Sequence, residues 1–217
     1  MEKMEVKFRN FLVKLNWLYE AIVTTYKINP SNEKIKYNAA PMGVIFQDKE
    51  HLIIRPYLNT NTLKNIQYFK CAGINFTNNI FLFYKSAIKK SDLTINDFIE
   101  SKERKTPLLK DSKIRFEVVS EKINVNKNEN RATVHFKIGA FEDVDSTIDL
   151  YSRGYFAALE SIIHFTRVNI LMEQDPEKGK KLIQKILDYN VFIKRVYPNS
   201  DLEKITNEIV FKINKMQ

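Results

Sequence analysis

The sequence predicts an α+β protein in which an antiparallel β domain, residues 1–145, is followed by a helical domain, residues 146–217. Two observations lead to this prediction. Before about residue 145, short segments rich in β-branched and aromatic residues alternate with turn residues, as in a β meander. After it, apolar residues recur with the 3.6-residue period of helices. Strands followed by helices are typical of the α+β class.

The β half begins with three predicted strands, "LYEAIVTTY", "YNAAPMGVIF" and "HLIIRPY", separated by turns at "NPSNEK" and "QDKE". A short helix follows, in which Leu63, Ile66 and Phe69 repeat at helical spacing. After it, "CAGINF" and "IFLFYKSAI" are expected to be extended. The stretch "SDLTINDFIESKERKTPLLKDS" predicts a short capped helix and a charged loop. The last predicted pair is "KIRFEVVSEKIN" and "RATVHFKIGAF", joined by "VNKNEN".

The second half predicts three helices, near residues 147–173, 177–190 and 201–215. The connecting stretches "EQDPEK" and "YPNSDLEK" each place a proline near an acidic first turn, which is a signal for the start of a helix.

Composition limits the possible partners and the compartment. The 217 residues contain 35 Lys and Arg against 26 Asp and Glu, a formal charge of +9, so a phosphate-bearing ligand and a nucleic acid are both possible. The single cysteine, Cys71, allows no intramolecular disulfide and favours a reducing compartment. No apolar stretch reaches the length of a membrane span, and no signal peptide is evident. We therefore expect a cytoplasmic protein without a membrane partner.

The stretch "NAAPMG" concentrates small residues in a chain that has only five glycines. Alanine and glycine allow a flat ligand to lie against the backbone. Pro41 cannot donate a hydrogen bond to a neighbouring strand, which restricts it to an edge, a bulge or a strand terminus. An irregular edge strand without a ligand fits these residues equally well.

The segment "IIRPYLNTNTLKNI" has the features of an anion site. A predicted strand carries Arg55, and four consecutive residues that can cap a helix, residues 59–62, precede the short helix. A helix N-terminus offers unpaired amides and a partial positive charge, and arginine adds a forked cation. N-capping by a single residue is the alternative, but it does not account for four capping residues.

Together the two segments resemble the FMN-binding split-barrel superfamily, in which flavin reductases carry N-x-x-P followed by T-L-x-N-I. The sequence is most similar to an uncharacterised, mainly archaeal domain-of-unknown-function family of that superfamily. The family pattern "E-x-I-V-T-T … N-A-A-P-M-G-V … S-x-T-x-x-N-L" corresponds here to residues 20–25, 38–44 and 60–66. The resemblance extends to "ALESIIHFTRV", whereas residues 1–13 look like an N-terminal extension.

The resemblance implies a split β-barrel with a C-terminal helical domain, an FMN cofactor and a homodimer with two composite sites. The residues implied to lie along the isoalloxazine ring are Asn38, Ala39, Ala40, Pro41, Met42 and Gly43. The residues implied to hold the ribityl phosphate are Arg55, Asn59, Thr60, Asn61, Thr62 and Asn65. Where the family usually has glycine and serine, this chain has Asn59 and Thr60; the hydroxyl is retained, but Asn59 is bulkier than glycine.

Three functions stay open at this point. The first is a flavin-dependent oxidoreductase that passes hydride or electrons between a reduced donor and an unknown acceptor. The second is a flavin carrier without turnover. The third is a nucleic-acid-binding protein, against which the basic residues are spread over both halves and no known nucleic-acid motif is present. His51, His135 and His164 lack metal-ligand spacing, so no metal site is expected.

The first predicted C-terminal helix carries a polar stripe formed by Arg153, Glu160, His164 and Arg167. We hypothesise that His164 and Arg167 are catalytic, with His164 donating a proton and Arg167 orienting an anionic substrate group. Glu160 and Arg153 would form a supporting ion pair. The alternative is that the stripe faces water.

Overall fold

A computed structural model of the chain describes residues 5–8, 11–28, 36–103, 105–144 and 150–216. It divides into two compact units, Met1–Tyr151 and Ser152–Gln217. The predicted turn "NPSNEK" and the predicted start of the first C-terminal helix at residue 147 lie outside the described residues.

The first unit is built on an antiparallel barrel. Its strands are β1 (Glu5–Phe8), β2 (Phe11–Lys14), β3 (Leu18–Tyr26), β4 (Tyr37–Phe46), β5 (His51–Ile54), β6 (Cys71–Phe76), β7 (Phe98–Glu100), β8 (Pro107–Leu109), β9 (Ile114–Asn126) and β10 (Arg131–Asp143), and its α-helices are α1 (Asn61–Phe69) and α2 (Ile80–Ala87). Six strands close in the order β10-β5-β4-β3-β6-β9. The predicted α+β class with an antiparallel barrel before the C-terminal helices is confirmed.

One predicted strand is wrong, because "IFLFYKSAI" forms the helix α2. The Asn79 side chain caps this helix by accepting a hydrogen bond from the Phe81 amide at 3.0 Å. Leu82 and Ser86, four residues apart, are its buried residues. A short apolar run does not distinguish a strand from a helix by periodicity, and here the cap and the burial at helical spacing decide.

The predicted capped helix in "SDLTINDFIESKERKTPLLKDS" is also corrected. In place of the predicted helix, the structure has two short 3-10 turns, Lys90–Asp92 and Ile95–Asp97. The second turn has a capping box formed by Thr94 and Asp97. The segment expected to be a charged loop contains β7 and β8, which pair with each other. This β7–β8 hairpin lies on the outside of the barrel, where the Leu109 amide donates to Asn75 Oδ1 of β6 at 2.7 Å.

Both ends of the barrel are closed by elements of the same unit. Leu63 and Ile66 of α1 are buried in the barrel core beyond the ends of β3 and β4 that carry Thr25 and Asn38. At the opposite end, the β1–β2 hairpin buries Phe8 and Val13 in the same core. The residues that look like an extension in the sequence therefore supply part of the barrel interior.

The second unit consists of three helices, α3 (Arg153–Gln174), α4 (Pro176–Val196) and α5 (Asp201–Asn214). Side chains of Ser152, Asp175 and Ser200 cap their N-termini. The apolar faces meet in a small core formed by Val168, Ile183, Ile186, Ile209 and Ile213. Among the described residues, no helix is both long and apolar enough to cross a membrane.

Candidate functional site

The first part of β4 is an open strand edge. Every residue of β3 pairs with a residue of β4, but β5, on the other side of β4, pairs only with residues 44–46 of that strand. Within the described residues, no strand pairs with the other side of residues 37–43. Pro41 therefore lies at a strand edge, as its missing N–H group predicts from the sequence.

The register determines which backbone groups this edge presents. The Ile22 carbonyl on β3 accepts a hydrogen bond from the Asn75 side chain of β6 at 2.9 Å, so the polar backbone groups of Ile22 point toward β6. Pro41 is the β4 partner of Ile22. In an antiparallel ladder, the N–H and C=O groups of two paired residues either point toward each other or both point away. Those of Ile22 point toward β6, so the backbone carbonyl of Pro41 points to the open side. The backbone groups of Ala39 and Gly43, two residues away on either side, point in the same direction.

Burial divides "NAAPMG" into two parts. Asn38 and Ala39 are buried, and Ala39 packs in a cluster with Ile22 of β3 and Leu82 of α2. Residues 40–43 are only half-buried. A Cβ atom on Gly43 would lie 2.7 Å from Leu18 Cδ1, so packing against β3 also favours glycine here.

The structure brings the two sequence motifs into direct contact. The Asn38 side-chain amide donates to Thr62 Oγ1 at 3.1 Å, and the Asn65 amide donates to Thr25 Oγ1 of β3 at 2.9 Å. Asn38, Thr62 and Asn65 are all buried. These side chains therefore fix α1 against the start of β4 and the end of β3.

The N-terminus of α1 retains free donors. Thr60 caps the helix by accepting from the Leu63 amide at 3.3 Å, and its hydroxyl donates to the Tyr57 carbonyl at 2.9 Å. Within the described residues, the amides of Asn61 and Thr62 have no acceptor, and the first turn carries no acidic residue. The side chains of Arg55, Asn59 and Asn61 are exposed, and that of Thr60 is half-buried. This end of α1 can accept an anion.

The sequence reasoning missed Arg131 at the start of β10. Its guanidinium lies 3.9 Å from the centre of the Tyr57 ring and donates to the Arg55 carbonyl at 2.8 Å. The local sequence shows only an arginine after a polar turn. The contact follows from closure of the barrel, which places β10 beside β5.

A second polar cluster holds the first residue of β4. Glu100 Oε1 accepts hydrogen bonds from Lys36 Nζ at 2.9 Å, Tyr37 OH at 2.7 Å and Tyr26 OH at 3.1 Å. The bonds from Lys36 and Tyr37 lower the pKa of Glu100 to about 2. Burial, followed by the nearby carboxylate, raises the pKa of Tyr26. The hydrogen bonds to the ionised Glu100 carboxylate therefore stabilise the folded state. This contribution to the free energy of unfolding is lost as the pH falls from about 4.5 through about 2.

The side chains of the predicted α3 stripe have different environments within the second unit. The His164 side chain is 12% exposed, with Nε2 3.8 Å from Glu160 Oε2 and the ring stacked on Tyr189 of α4. Its Nδ1 is buried and has no partner among the described residues. Arg167 is exposed, and Arg153 lies 5.5 Å from the centre of the Phe192 ring. The catalytic roles of His164 and Arg167 stay predictions.

Two other kinds of site receive less support. A cavity of about 220 Å³ lies on the outside of the barrel, and its walls mix Lys102 and Arg115 with Glu117 and Glu142, so they favour neither sign of ligand charge. In the part of the chain that the structure describes, no group of three or more His, Cys, Asp or Glu residues could hold a metal ion.

Residues 19–143 match the family described as the protein of unknown function DUF447, N-terminal domain. The chain belongs to this family. The family resemblance found in "NAAPMG" and "NTNTLKNI" is thereby confirmed. No curated protein matches this DUF447 chain.

Solved structures share the fold of this DUF447 protein. An FMN-bound DUF447 protein from Methanosarcina mazei is 22% identical, with 90% of this chain and 94% of that chain covered and a TM-score of 0.50. The nitrilotriacetate monooxygenase component B from Mycobacterium thermoresistibile is 11% identical, with 63% and 76% covered and a TM-score of 0.50. At these identities the likeness concerns the fold.

Proposed function

We propose that this DUF447 protein binds FMN, with the phosphate at the N-terminus of α1 and the isoalloxazine ring along the open edge of β4. The observation that carries the proposal is the Asn38–Thr62 hydrogen bond, because it joins the strand edge to the helix N-terminus in one place. Membership of the family and the FMN-bound relative from Methanosarcina mazei support the same ligand.

The phosphate end of this site would use backbone and side-chain donors together. The free amides of Asn61 and Thr62 and the helix dipole favour an anion. Arg55 supplies the fixed positive charge, and the exposed Asn59 and Asn61 side chains can donate further hydrogen bonds. Thr62 and Asn65, being buried, act by holding α1 in place.

The ring end would use the backbone of β4. The half-buried Gly43 presents its N–H and C=O groups at the open edge, which suit the hydrogen-bonding edge of a flavin, whereas Ala39 is buried beneath α2. The half-buried Pro41 provides apolar contact for a flat ring, whereas Ala40 and Met42 point to the opposite face of the strand, where Met42 packs against the barrel core. Pro41 adds rigidity, and the absence of a bulky side chain at Gly43 keeps the edge accessible.

We further propose that the protein is an oxidoreductase that passes hydride or electrons from a reduced donor to an acceptor of unknown identity. Bound FMN supplies the capacity to accept and release electrons, whereas this chain binds the cofactor, orients it and limits its contact with water. In this proposal His164 would donate a proton and Arg167 would orient an anionic substrate group.

A homodimer forms part of the same proposal. The helix α2 exposes Ile80, Phe81 and Tyr84, and its C-cap residue Ile88 is also exposed, with exposed fractions of 61%, 71%, 47% and 71%. The buried Leu82 of this helix packs in the cluster that contains Ala39, so the apolar surface lies beside the candidate site. Exposed apolar patches of this kind mark association surfaces, and a second copy would cover this one.

FMN binding is tested by replacing Arg55 with alanine. We expect FMN affinity to fall about 10- to 100-fold and riboflavin affinity to stay nearly unchanged, because a charge-assisted hydrogen bond of about 1.5–3 kcal/mol is lost only for the ligand with a phosphate. Flavin fluorescence titration measures both constants. Arg195→Ala, which removes an exposed arginine from the last turn of α4, is the charge-matched control. Equal losses for both flavins would place the phosphate elsewhere.

Turnover is tested on the FMN-loaded protein. We expect NADH, NADPH or a reduced deazaflavin to bleach the flavin absorbance bands, and an added acceptor to restore them over repeated cycles. Loading with FMN but no reduction by any of the three donors would favour the carrier function. Light scattering on the same sample gives the mass, which the dimer proposal expects at twice 25.6 kDa.

A further inference from the structure

The segment between β5 and α1, residues 55–60, is hydrogen-bonded to residues 130–132 at the start of β10. The Pro56 carbonyl accepts from the Ala132 amide at 3.0 Å, and the Leu58 amide donates to the Asn130 carbonyl at 3.2 Å. An isolated bridge joins Tyr57 to Arg131. The position of this segment therefore depends on residues more than 70 positions away in the chain.

The Arg131 side chain contacts this segment at two points. Its planar guanidinium lies over the Tyr57 ring at 3.9 Å, while Nη1 donates to the Arg55 carbonyl at 2.8 Å. A stacked guanidinium that also makes a directed hydrogen bond fixes both the distance and the angle of its partner. Tyr57 in turn accepts from the Thr60 amide and hydroxyl at 3.2 and 2.9 Å.

These contacts form a continuous path to the end of α1. Arg131 fixes Arg55 and Tyr57, Tyr57 binds Thr60, and Thr60 caps the helix at the Leu63 amide. The charge distribution points the same way. Within the described residues, neither Arg55 nor Arg131 has a carboxylate partner, and the first turn of α1 contains no acidic residue.

We propose that Arg131 is a positioning residue that holds residues 55–60 and thereby makes the site selective for phosphorylated over unphosphorylated flavin. This inference rests on the proposed FMN function. Arg131 acts through the backbone of Arg55 and the ring of Tyr57, and its effect on the ligand is the placement of the Arg55 side chain and of the α1 N-terminus.

The binding experiment compares Arg131→Ala, Arg131→Lys and Arg195→Ala with the wild type, using FMN and riboflavin at low and at high salt. For Arg131→Ala we expect about a tenfold loss of FMN affinity, the loss that one charge-assisted hydrogen bond supports, with riboflavin unchanged. The loss of FMN affinity should persist at high salt, because salt screens the interaction between charges but does not restore the position of residues 55–60. Lysine should not restore binding, since an ammonium group cannot stack as a guanidinium does.

Two results would overturn the inference. Equal losses for FMN and riboflavin would make Arg131 a general structural residue. A loss that disappears at high salt and is restored by lysine would make Arg131 a direct charge on the phosphate.

Hydrogen exchange of the flavin-free protein separates this inference from the proposed function. Arg131→Ala should speed exchange of the Leu58 and Thr60 amides while strands β3 and β6 keep their protection. If the exchange changes but the wild type binds no FMN, the proposed function fails and the positioning role stands. If the exchange is unchanged, the positioning role fails even when FMN binds.

Discussion

Replacing Gly73 with alanine should lower the free energy of unfolding of the barrel by about 3 kcal/mol. Gly73 lies in β6 opposite Thr24 of β3, beneath the β7–β8 hairpin. An added Cβ would overlap the Pro107 carbonyl oxygen and the Thr24 hydroxyl and would lie 2.8 Å from Leu108 Cδ2. The hydroxyl donates to that same carbonyl, so neither atom can move away without breaking the bond that attaches the hairpin. Urea unfolding measures the loss.

Gly43→Ala is the matched control, because it adds the same methyl group to β4, another strand of the same barrel. There the nearest atoms belong to the Leu18 side chain, at 2.7–3.0 Å, and a flexible side chain can rotate away. We expect a loss of about 1 kcal/mol or less. Equal losses of stability in the two variants would contradict the close contact between Gly73 and the β7–β8 hairpin.

Replacing Phe8 with alanine should lower the free energy of unfolding by about 3–5 kcal/mol. The Phe8 ring is 7% exposed and lies 5.1 Å from Phe116, 5.6 Å from Phe46 and 5.6 Å from Phe141. Its removal would leave a cavity at one end of the barrel, since the surrounding strands are held by their ladders and cannot collapse.

Leu12→Ala in the same hairpin is the control for Phe8→Ala. Leu12 is 54% exposed, so its truncation should change stability by less than about 0.5 kcal/mol. Thermal and urea unfolding of both variants give the comparison. Similar small losses would mean that residues 5–14 are an appendage, as the sequence alone implies.

The sequence predicts strands well where pattern and turn signals agree. β3 and β4 have the bounds of "LYEAIVTTY" and "YNAAPMGVIF", since each run is flanked by polar turn residues. The segment that forms α2 could not be assigned in this way, because its apolar residues follow one another without interruption and so show no period. The role of Phe8 could not be predicted from the sequence either. Its hairpin is positioned by contacts with aromatic residues of distant strands, which the local sequence does not show.

For the candidate site, local sequence predicts which residues can bind an anion but not which of them remain accessible. Asn38, Thr62 and Asn65 carry suitable donors, yet burial commits them to holding α1. Arg131 has no local signal at all, because its contacts with Tyr57 and Arg55 arise when the barrel closes. These differences come from tertiary contacts, which a residue pattern does not contain.

The open edge of β4 also bears on how the protein behaves before it meets a ligand. An unpaired strand edge is a template on which another chain can add a strand and begin to aggregate. Pro41 presents its backbone to that side and has no N–H to offer, so an incoming strand would lose a hydrogen bond in the middle of the edge. The proline that we propose as a rigid surface for a flat ligand therefore also protects the protein from joining edge to edge with its copies.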